Sequence, residues 1–517
     1  MVLLQPSRSD QSSMKAMPMH MHLNHYPRRF SPTFATRLTV GVALPLCGIL
    51  TACQPAPRLD LEAATSMGDA VGLSGSVEFR KLSTDDSPLD EPAVLGRLTL
   101  PEAMRRAVTT DPALQAALAR VRMAVADADQ VRLLPNPVMF VVVRFGAGSP
   151  QVEASFVQDF MAGLQIPRRA SAADNRLRAK AADAVTSALD AAAEVQERYA
   201  AAQAASALVP ALRTRMKVME QMTSIANDRL AAGEAGAGDV ATLGAQRVSL
   251  EVDIERAVLA EREARIRLAR VIGEPSSAAV WELDAWTAPP TELQPESSWV
   301  NTGLARRPEI QSIGWQLAAL GDDKALAHLV PWEEEDALLP LPNPWEPASA
   351  GVDYQKDGND AIGPSFATPV PIFDMGQSRR ARVSAEVQAA RNDMLTARRK
   401  VVEEVRTAYQ ILLASTSNLR RIREQLIPLQ ERRRSISDGA YRAGEADVTV
   451  LFLAEQDLRL AQTQAIEVEL QSSNAIVRLQ RAVGGAAAAR TLTSASTATN
   501  IQNTNAPQLT SLEKVTP

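Results

Sequence analysis

The sequence predicts a mainly α-helical chain that carries four β-strands and repeats its own architecture once. Three observations predict it. Ala232-Gly233-Glu234 and Ala443-Gly444-Glu445 stand 211 positions apart, each between two long helical patterns. The pattern leading out of each triplet ends at Gly273 or Gly484, in both cases 40 positions past the central glycine. The copies also begin alike: Asp111-Pro112 opens a helix that stops at Pro135, Arg307-Pro308 one that stops at Pro331, and both prolines-to-prolines steps are 23 residues. Duplicated helices of this length describe an elongated chain of two halves instead of a set of compact enzyme domains.

Residues 1–52 read as a secretory signal. Arg28, Arg29 and Arg37 precede a short apolar run from Leu38 to Leu50, too short to span a bilayer as a helix. Leu50-Thr51-Ala52-Cys53 follows. This resembles a bacterial lipobox, in which the cysteine thiol takes a diacylglyceryl group as a thioether; the plainer alternative is an ordinary buried cysteine. With Cys47 removed in the signal, Cys53 stays alone and a disulfide within the chain is excluded. Residues 53–97, containing Pro, Ser and Asp with weak periodicity, read as an extended, lipid-anchored tether.

Residues 98–275 form the first copy. From Leu98 to Val131 apolar residues recur at three and four, at Leu100, Met104, Val108, Leu114, Leu118, Val121 and Val125. Pro135-Asn136-Pro137 breaks that helix. The β-branched and aromatic run Val138 to Phe145 is a strand, and Glu153 to Met161 alternates as a second. Met139, Val141, Val143 and Phe145 share one face of the first strand; Val138, Phe140, Val142 and Arg144 share the other. A long helix then runs to the Gly233 turn, and Asp239 to Ile272 returns. Residues 276–300, with a Pro-Pro pair and tryptophans, link the copies.

Residues 301–485 repeat the order. Ala350 to Asp357 and Phe366 to Phe373 are the expected strands, with Gly358, Gly363 and Pro364 between them. In the long helix, Val383, Val387, Ala390, Met394, Ala397, Val401, Val405, Ala408, Leu412, Ser415, Leu419, Ile422, Leu426 and Leu429 step by four and three, a heptad seam with one stutter at Val401 to Val405. About 60 residues of helix span about 90 Å. Asp447 to Val483 returns, and residues 486–517 are an Ala-, Ser-, Thr- and Asn-rich tail with few large apolar side chains. Gly233 and Gly444 suit the left-handed position that ends a helix. Two hairpins per chain leave exposed edges and are too few to enclose a pore, so the pattern calls for several copies.

This order resembles the TolC family of outer-membrane efflux ducts. The resemblance is carried by Leu98-Thr99-Leu100-Pro101-Glu102-Ala103, Asp111-Pro112, Leu134-Pro135-Asn136-Pro137, Ala232-Gly233-Glu234 and Tyr441-Arg442-Ala443-Gly444-Glu445, over about residues 98 to 485. It implies a homotrimer whose strands close a twelve-stranded barrel in the outer membrane, continued by a periplasmic tunnel of antiparallel coiled coils. It implies a lipid-anchored protein of the cell outer membrane with a periplasmic extension, partnered by a periplasmic adaptor and an inner-membrane pump of the proton-driven type. Gln54 after the cysteine fits outer-membrane sorting in that family. The adaptor-docking tips correspond to Arg229, Gly233, Tyr441, Arg442 and Gly444; hydrogen bonding within the tip is the alternative for Tyr441 and Arg442. Asp239 and Asp447 are candidate periplasmic gate residues, or else N-caps of the return helices. Val450 stands in the second copy where Asp239 stands in the first, so a double acidic ring is not expected.

Enzyme chemistry finds no motif. His20, His22 and His25 lie in the expected leader, leaving His328 as the one mature histidine, in no nucleophile motif. The glycine-rich Gly233 to Gly238 lacks the Lys-Ser/Thr of a phosphate loop. The acidic run Trp332 to Asp336 reads as a solvated loop that hard cations can visit. A net charge of -5 with interleaved signs and no basic aromatic patch excludes a nucleic-acid face. No metal, no cofactor and no catalysis are expected. The reading is a passive exit duct for small molecules or cations; the alternative is a lipid-anchored periplasmic coiled-coil scaffold without a pore.

Overall fold

In the computed structural model the described residues are 58–72, 96–145, 150–233, 236–273, 281–286, 293–328, 349–357, 359–367, 372, 375–490 and 492. The chain divides into Met1–Gln54 and Pro55–Pro517, and all described residues belong to the second unit. The signal segment, Cys53, the acidic run 332–336 and residues 493–517 lie outside them.

The first element corrects the extended tether. Leu59–Val71 is a helix, α1, with Ala63, Ala64, Met67, Gly68 and Val71 buried. These residues recur at four, and the Ala and Gly among them leave a face flat enough to lie on other helices. Gly485, at φ +106, has its Cα beside the Ala70 carbonyl where a side chain would collide, so the end of the second copy receives α1 only because it is glycine.

Arg97–Leu98 (β1) then pairs in parallel with Glu282–Leu283 (β4) of the linker. Leu100–Thr110 (α2) and Pro112–Val131 (α3) follow, broken at Asp111, whose side chain accepts from the Ala113 amide. Proline at the first helical position costs no hydrogen bond, which is why the break falls there. Val138–Arg144 (β2) and Gln151–Asp159 (β3) form the first hairpin. β3 ends two residues before its expected end, because the Asp159 carboxylate accepts from the Ala162 amide and starts the next helix.

Phe160–Ala231 (α4) is one helix of 72 residues, about 108 Å long. Ala237–Val271 (α5) returns along it. In the second copy Glu296–Arg306 (α6) and Pro308–Leu326 (α7) precede Ser349–Asp357 (β5) and Asn359–Ala367 (β6). The fourth strand therefore begins seven residues before the expected Phe366 to Phe373, and Gly363-Pro364 sits inside it. Asp357 pairs with Asn359, so the chain reverses between them. Asp-Gly at 357–358 is a strong hairpin signal and outranks Gly-Pro. Proline is tolerated because β6 is an edge within the chain's own sheet.

The second long helix is interrupted. Gln377–Arg421 (α8) passes through a π turn, Ile422–Leu426, into Ile427–Arg442 (α9), and Val448–Ala482 (α10) returns. The expected seam is buried from Val401 through Val405, Ala408, Leu412, Ser415 and Leu419 to Ile422. Beyond the π turn it fails: Leu429 is 60% exposed, and Ser437 and Tyr441 take the buried positions.

The cause is one extra residue. Gly233 and Gly444 are 211 positions apart, whereas Tyr199 and Tyr409, on the same level of the two long helices, are 210 apart. The surplus residue lies between Tyr409 and the second tip. At the π turn the Ile427 amide bonds the Ile422 carbonyl, five residues back, which absorbs it. Pro428 next door has no amide to offer, so the helix loosens where it already lacks a donor.

The copies are clasped at mid-height. The buried Tyr199 hydroxyl donates to the Leu98 carbonyl and accepts from the Asp284 amide, each at 2.8 Å. Tyr409 donates to the Gln294 carbonyl at 3.2 Å. Burial, first among its causes, raises the Tyr199 pKa above its ordinary value. Arg307, 3% exposed, bonds Glu309 at 3.0 Å and also Glu404. Arg481 bonds Asp190 of α4 at 2.5 Å and reaches Glu309 and Glu404 at 3.4 and 3.5 Å. That network joins α7, α8 and α10 of the second copy to α4 of the first.

Candidate channel wall and docking tips

The four long strands form one antiparallel sheet in the order β2-β3-β5-β6. Its register sorts the side chains onto two unlike faces. Met139, Phe156, Val352 and Pro364 share a row; Val141, Ala154, Tyr354 and Ile362 share the next; Val143, Val152, Lys356 and Asp360 form a third. Apart from the charged end row and Gln158, in the row of Ala350 and Phe366, this face is apolar, and it lies open: Met139 is 72% and Ile362 76% exposed. The opposite face carries Arg144, Glu153, Ser155, Asp353, Gln355 and Ser365, with an Arg144–Glu153 ion pair of 2.7 Å. Val138, Phe140 and Val142 are on that polar face, as the alternation along β2 requires. Both outer strands, β2 and β6, keep an unpaired edge within the chain.

The sheet brings together what the sequence reading held apart. The misplaced fourth strand hid Ile362 from the apolar face, and with it the match between the two hairpins.

The other end holds the turns. Gly233 and Gly444 have φ of +78° and +76°, the left-handed conformation that glycine adopts without strain. At the second turn the Gly444 amide bonds the Tyr441 carbonyl and the Glu445 amide the Ala440 carbonyl, the Schellman pattern. The two turns touch. The Arg229 guanidinium lies over the Tyr441 ring, 4.6 Å from its centroid, and its Nη2 is 3.6 Å from where a Cβ on Gly444 would stand. Tyr441 is buried among Met219, Met222, Leu243 and Leu451, so its ring is a hydrophobic anchor within the tip. Arg442 points away, exposed, and pairs with Asp438 at 3.1 Å.

Asp239 is the third residue of α5, and its carboxylate accepts from the Gly236 amide at 3.3 Å, which caps the helix. Asp447 stands at the N-cap position of α10, but its Oδ2 accepts from the Thr449 hydroxyl at 3.2 Å. Val450 is the third residue of α10, the counterpart of Asp239, and is 47% exposed. The two tips are therefore chemically unlike in the same geometry. Cys53 lies outside the described residues. Among the described residues no group of three His, Cys, Asp or Glu is placed to hold a metal, and no helix is long and apolar enough to cross a membrane, which says nothing of a barrel.

Below the π turn Glu455, 2% exposed, is paired with Arg459 at 2.7 Å and Arg434 at 3.0 Å. Sequence spacing showed neither this cluster nor the Arg307 network, because Arg434 and Glu404 reach them from other helices.

Residues 345–485 match the family described as outer membrane efflux protein. The pyoverdine export outer membrane protein OpmQ of Pseudomonas aeruginosa PAO1 is 27% identical over 353 residues, which cover 66% of this chain and 70% of OpmQ. Among solved structures, the outer-membrane channel OprN superposes with a TM-score of 0.62 at 17% identity, over 81% of this chain and 100% of its own. The outer membrane protein VceC of Vibrio cholerae gives 0.62 at 19% identity, over 75% and 96%. The MtrE outer membrane channel of Neisseria gonorrhoeae gives 0.58 at 15% identity, over 80% and 96%. With the duplicated helices, the two-faced sheet and the paired glycine turns in the same order, the chain has the fold of these outer-membrane channels, and its second copy matches the outer membrane efflux protein family.

Proposed function

We propose that this chain is the outer-membrane exit channel of a tripartite exporter and that it works as a homotrimer. The observation that carries this reading is the sheet: one apolar face, one polar face and two unpaired edges. A water-facing protein gains nothing from leaving Met139, Ile362 and Phe366 open. A barrel wall turns that face to lipid and the Arg144–Glu153 face to a wet lumen. Pairing β6 of one copy with β2 of the next satisfies both edges, and three copies give twelve strands.

On this reading Cys53 carries the lipid that anchors the chain to the outer membrane. The tips, with Arg229, Gly233, Tyr441, Arg442 and Gly444, meet a periplasmic adaptor, and the pump behind it supplies the energy. Asp239 and Asp447 stand near the entrance, and capping of α5 is part of what Asp239 does there. The chain itself needs no cofactor and performs no catalysis: transport through it is passive. Siderophore-like solutes of the pyoverdine kind are the first cargo to test, on the strength of the OpmQ relative; metal cations are the second.

The test replaces residues 138–145 with a polar linker of equal length in cells lacking the native gene. Export from the periplasm is expected to stop while the protein remains exported and folded below the sheet. Continued export would contradict the channel and favour a coiled-coil scaffold.

A further inference from the structure

The apolar face of the sheet is too short for a membrane. Its rows run from Val152, beside the charged Lys356 and Asp360, to the row of Gln158, a six-residue advance along β3. That is about 20 Å of strand at about 3.4 Å per residue. At a tilt of about 40° it covers about 15 Å of membrane depth, against the apolar band of about 25 Å that barrels of this kind present. About 10 Å is missing; toward the hairpin turns Lys356 and Asp360 interrupt the face in the second hairpin, and only Phe145 of the first hairpin continues it. The other end, where strands give way to helices, offers more apolar surface.

There, large apolar side chains at or beside the ends of three helices lie open to solvent. Leu133 and Leu134, at the end of α3, are 51% and 39% exposed; Leu164, in the first turns of α4, is 68%; Ile372 and Met375, just before α8, are 71% and 60%. Leu134 lies beside α4, with its Cδ2 3.4 Å from where a Cβ on Gly163 would stand. Along the chain all five stand four to eight residues from the helix-side end of a strand, at Val138, Asp159 or Ala367. Two helical turns, about 11 Å, match the missing depth.

We propose that this apolar collar is a lipid-binding surface, with Leu133, Leu134, Leu164, Ile372 and Met375 sunk among the acyl chains of the inner leaflet of the outer membrane. It rests on the channel reading and adds a boundary to it: the bilayer covers the first helical turns as well as the barrel. The collar continues the apolar face of the sheet, and lipid is the occupant that supplies the missing depth.

The test uses the full-length protein in liposomes of dibrominated phosphatidylcholine, comparing parent protein with Leu164→Trp, Met375→Trp and, as a barrel reference, Met139→Trp. The emission added by each new tryptophan is measured against bromolipid and against aqueous acrylamide. Bromolipid is expected to quench the collar tryptophans at least half as strongly as the reference, with acrylamide having little effect. Quenching of both collar tryptophans by acrylamide and not by bromolipid would overturn the inference, as would resistance to both, which marks a contact between copies. Absence of bromolipid quenching at Met139→Trp would sink the channel reading and the collar with it.

Discussion

The two long helices do the same work with different backbones. α4 runs its 72 residues without a break, Pro210 included, while the second copy reaches its tip through a π turn. Their mid-height tyrosines are in step and so are their tips, yet the residues between are one out of register. What a coiled coil of this length must conserve is its contact levels, and a surplus residue is tolerated where the helix can store it. The same comparison holds elsewhere: Tyr199 makes two hydrogen bonds and Tyr409 one; Asp239 caps its return helix and Val450 offers nothing.

Deleting one residue from each helix breaks the comparison most severely. Removing Lys217 from α4 rotates everything toward the tip by about 100°, turning Met219, Met222 and Ala226 out of their buried positions. Removing Glu424 from the π turn leaves a regular α-helix. We expect the first variant to yield no thermally cooperative protein and the second to melt within a few degrees of the parent. Equal damage would mean that the π turn is required for itself.

Next in size is the clasp between copies. Arg307→Ala removes the charged hydrogen bonds of a buried arginine to Glu309 and Glu404, which keep only the longer contacts of Arg481, a loss of about 1.5–3 kcal/mol. Arg478→Ala removes a pair with Glu197 in which Arg478 is mostly exposed, worth about 0–1 kcal/mol. Thermal midpoints should separate them clearly; similar midpoints would contradict the assigned burial.

Tyr199→Phe leaves a buried carbonyl and an amide unpaired, at about 1–3 kcal/mol, whereas Tyr409→Phe removes one bond, at about 1 kcal/mol. Alkali sharpens this. The Tyr199 pKa is raised in the folded chain by burial, so the folded state holds that proton more tightly than the unfolded one. Its contribution is complete below about pH 10 and is lost as pH rises through that value toward the folded pKa. Tyr199→Phe should lack this part of the alkaline decline in midpoint; an unchanged profile would show that the hydroxyl does not titrate with unfolding.

Smallest is the tip. Arg229→Ala removes the cation–π contact on Tyr441, about 0.5–1 kcal/mol, whereas Arg442→Ala should be close to neutral for stability. Both should be read also as adaptor affinity, where a larger effect of Arg442→Ala would separate docking from tip packing.

Much of this was legible in the sequence. The repeat, the glycine turns and the two faces of β2 follow from period and spacing alone. The π turn did not, because the offset between copies was measured only from the tips; one tyrosine pair higher up reveals it. The fourth strand was misplaced because Gly363-Pro364 also reads as a turn, although Asp357-Gly358 is the stronger hairpin signal, and the pairing of Asp357 with Asn359 decides it. α1 was missed because three of its five buried residues are Ala or Gly and leave a weak apolar signal. The Arg307 network was beyond reach, since Glu404 is 97 positions away and nothing local marks it.

The central claim is that the sheet closes between copies. Within one chain β2 and β6 are three strand spacings apart, about 14 Å, too far for a disulfide. Cysteines at Met139, Val141 or Val143, each combined with one at Ile362 on the same face, therefore report only on neighbouring chains. Oxidation of the full-length protein in outer membranes should link at least one combination into a ladder ending at three chains. A chain that stays monomeric in all three combinations, while folded and exported, would contradict the account.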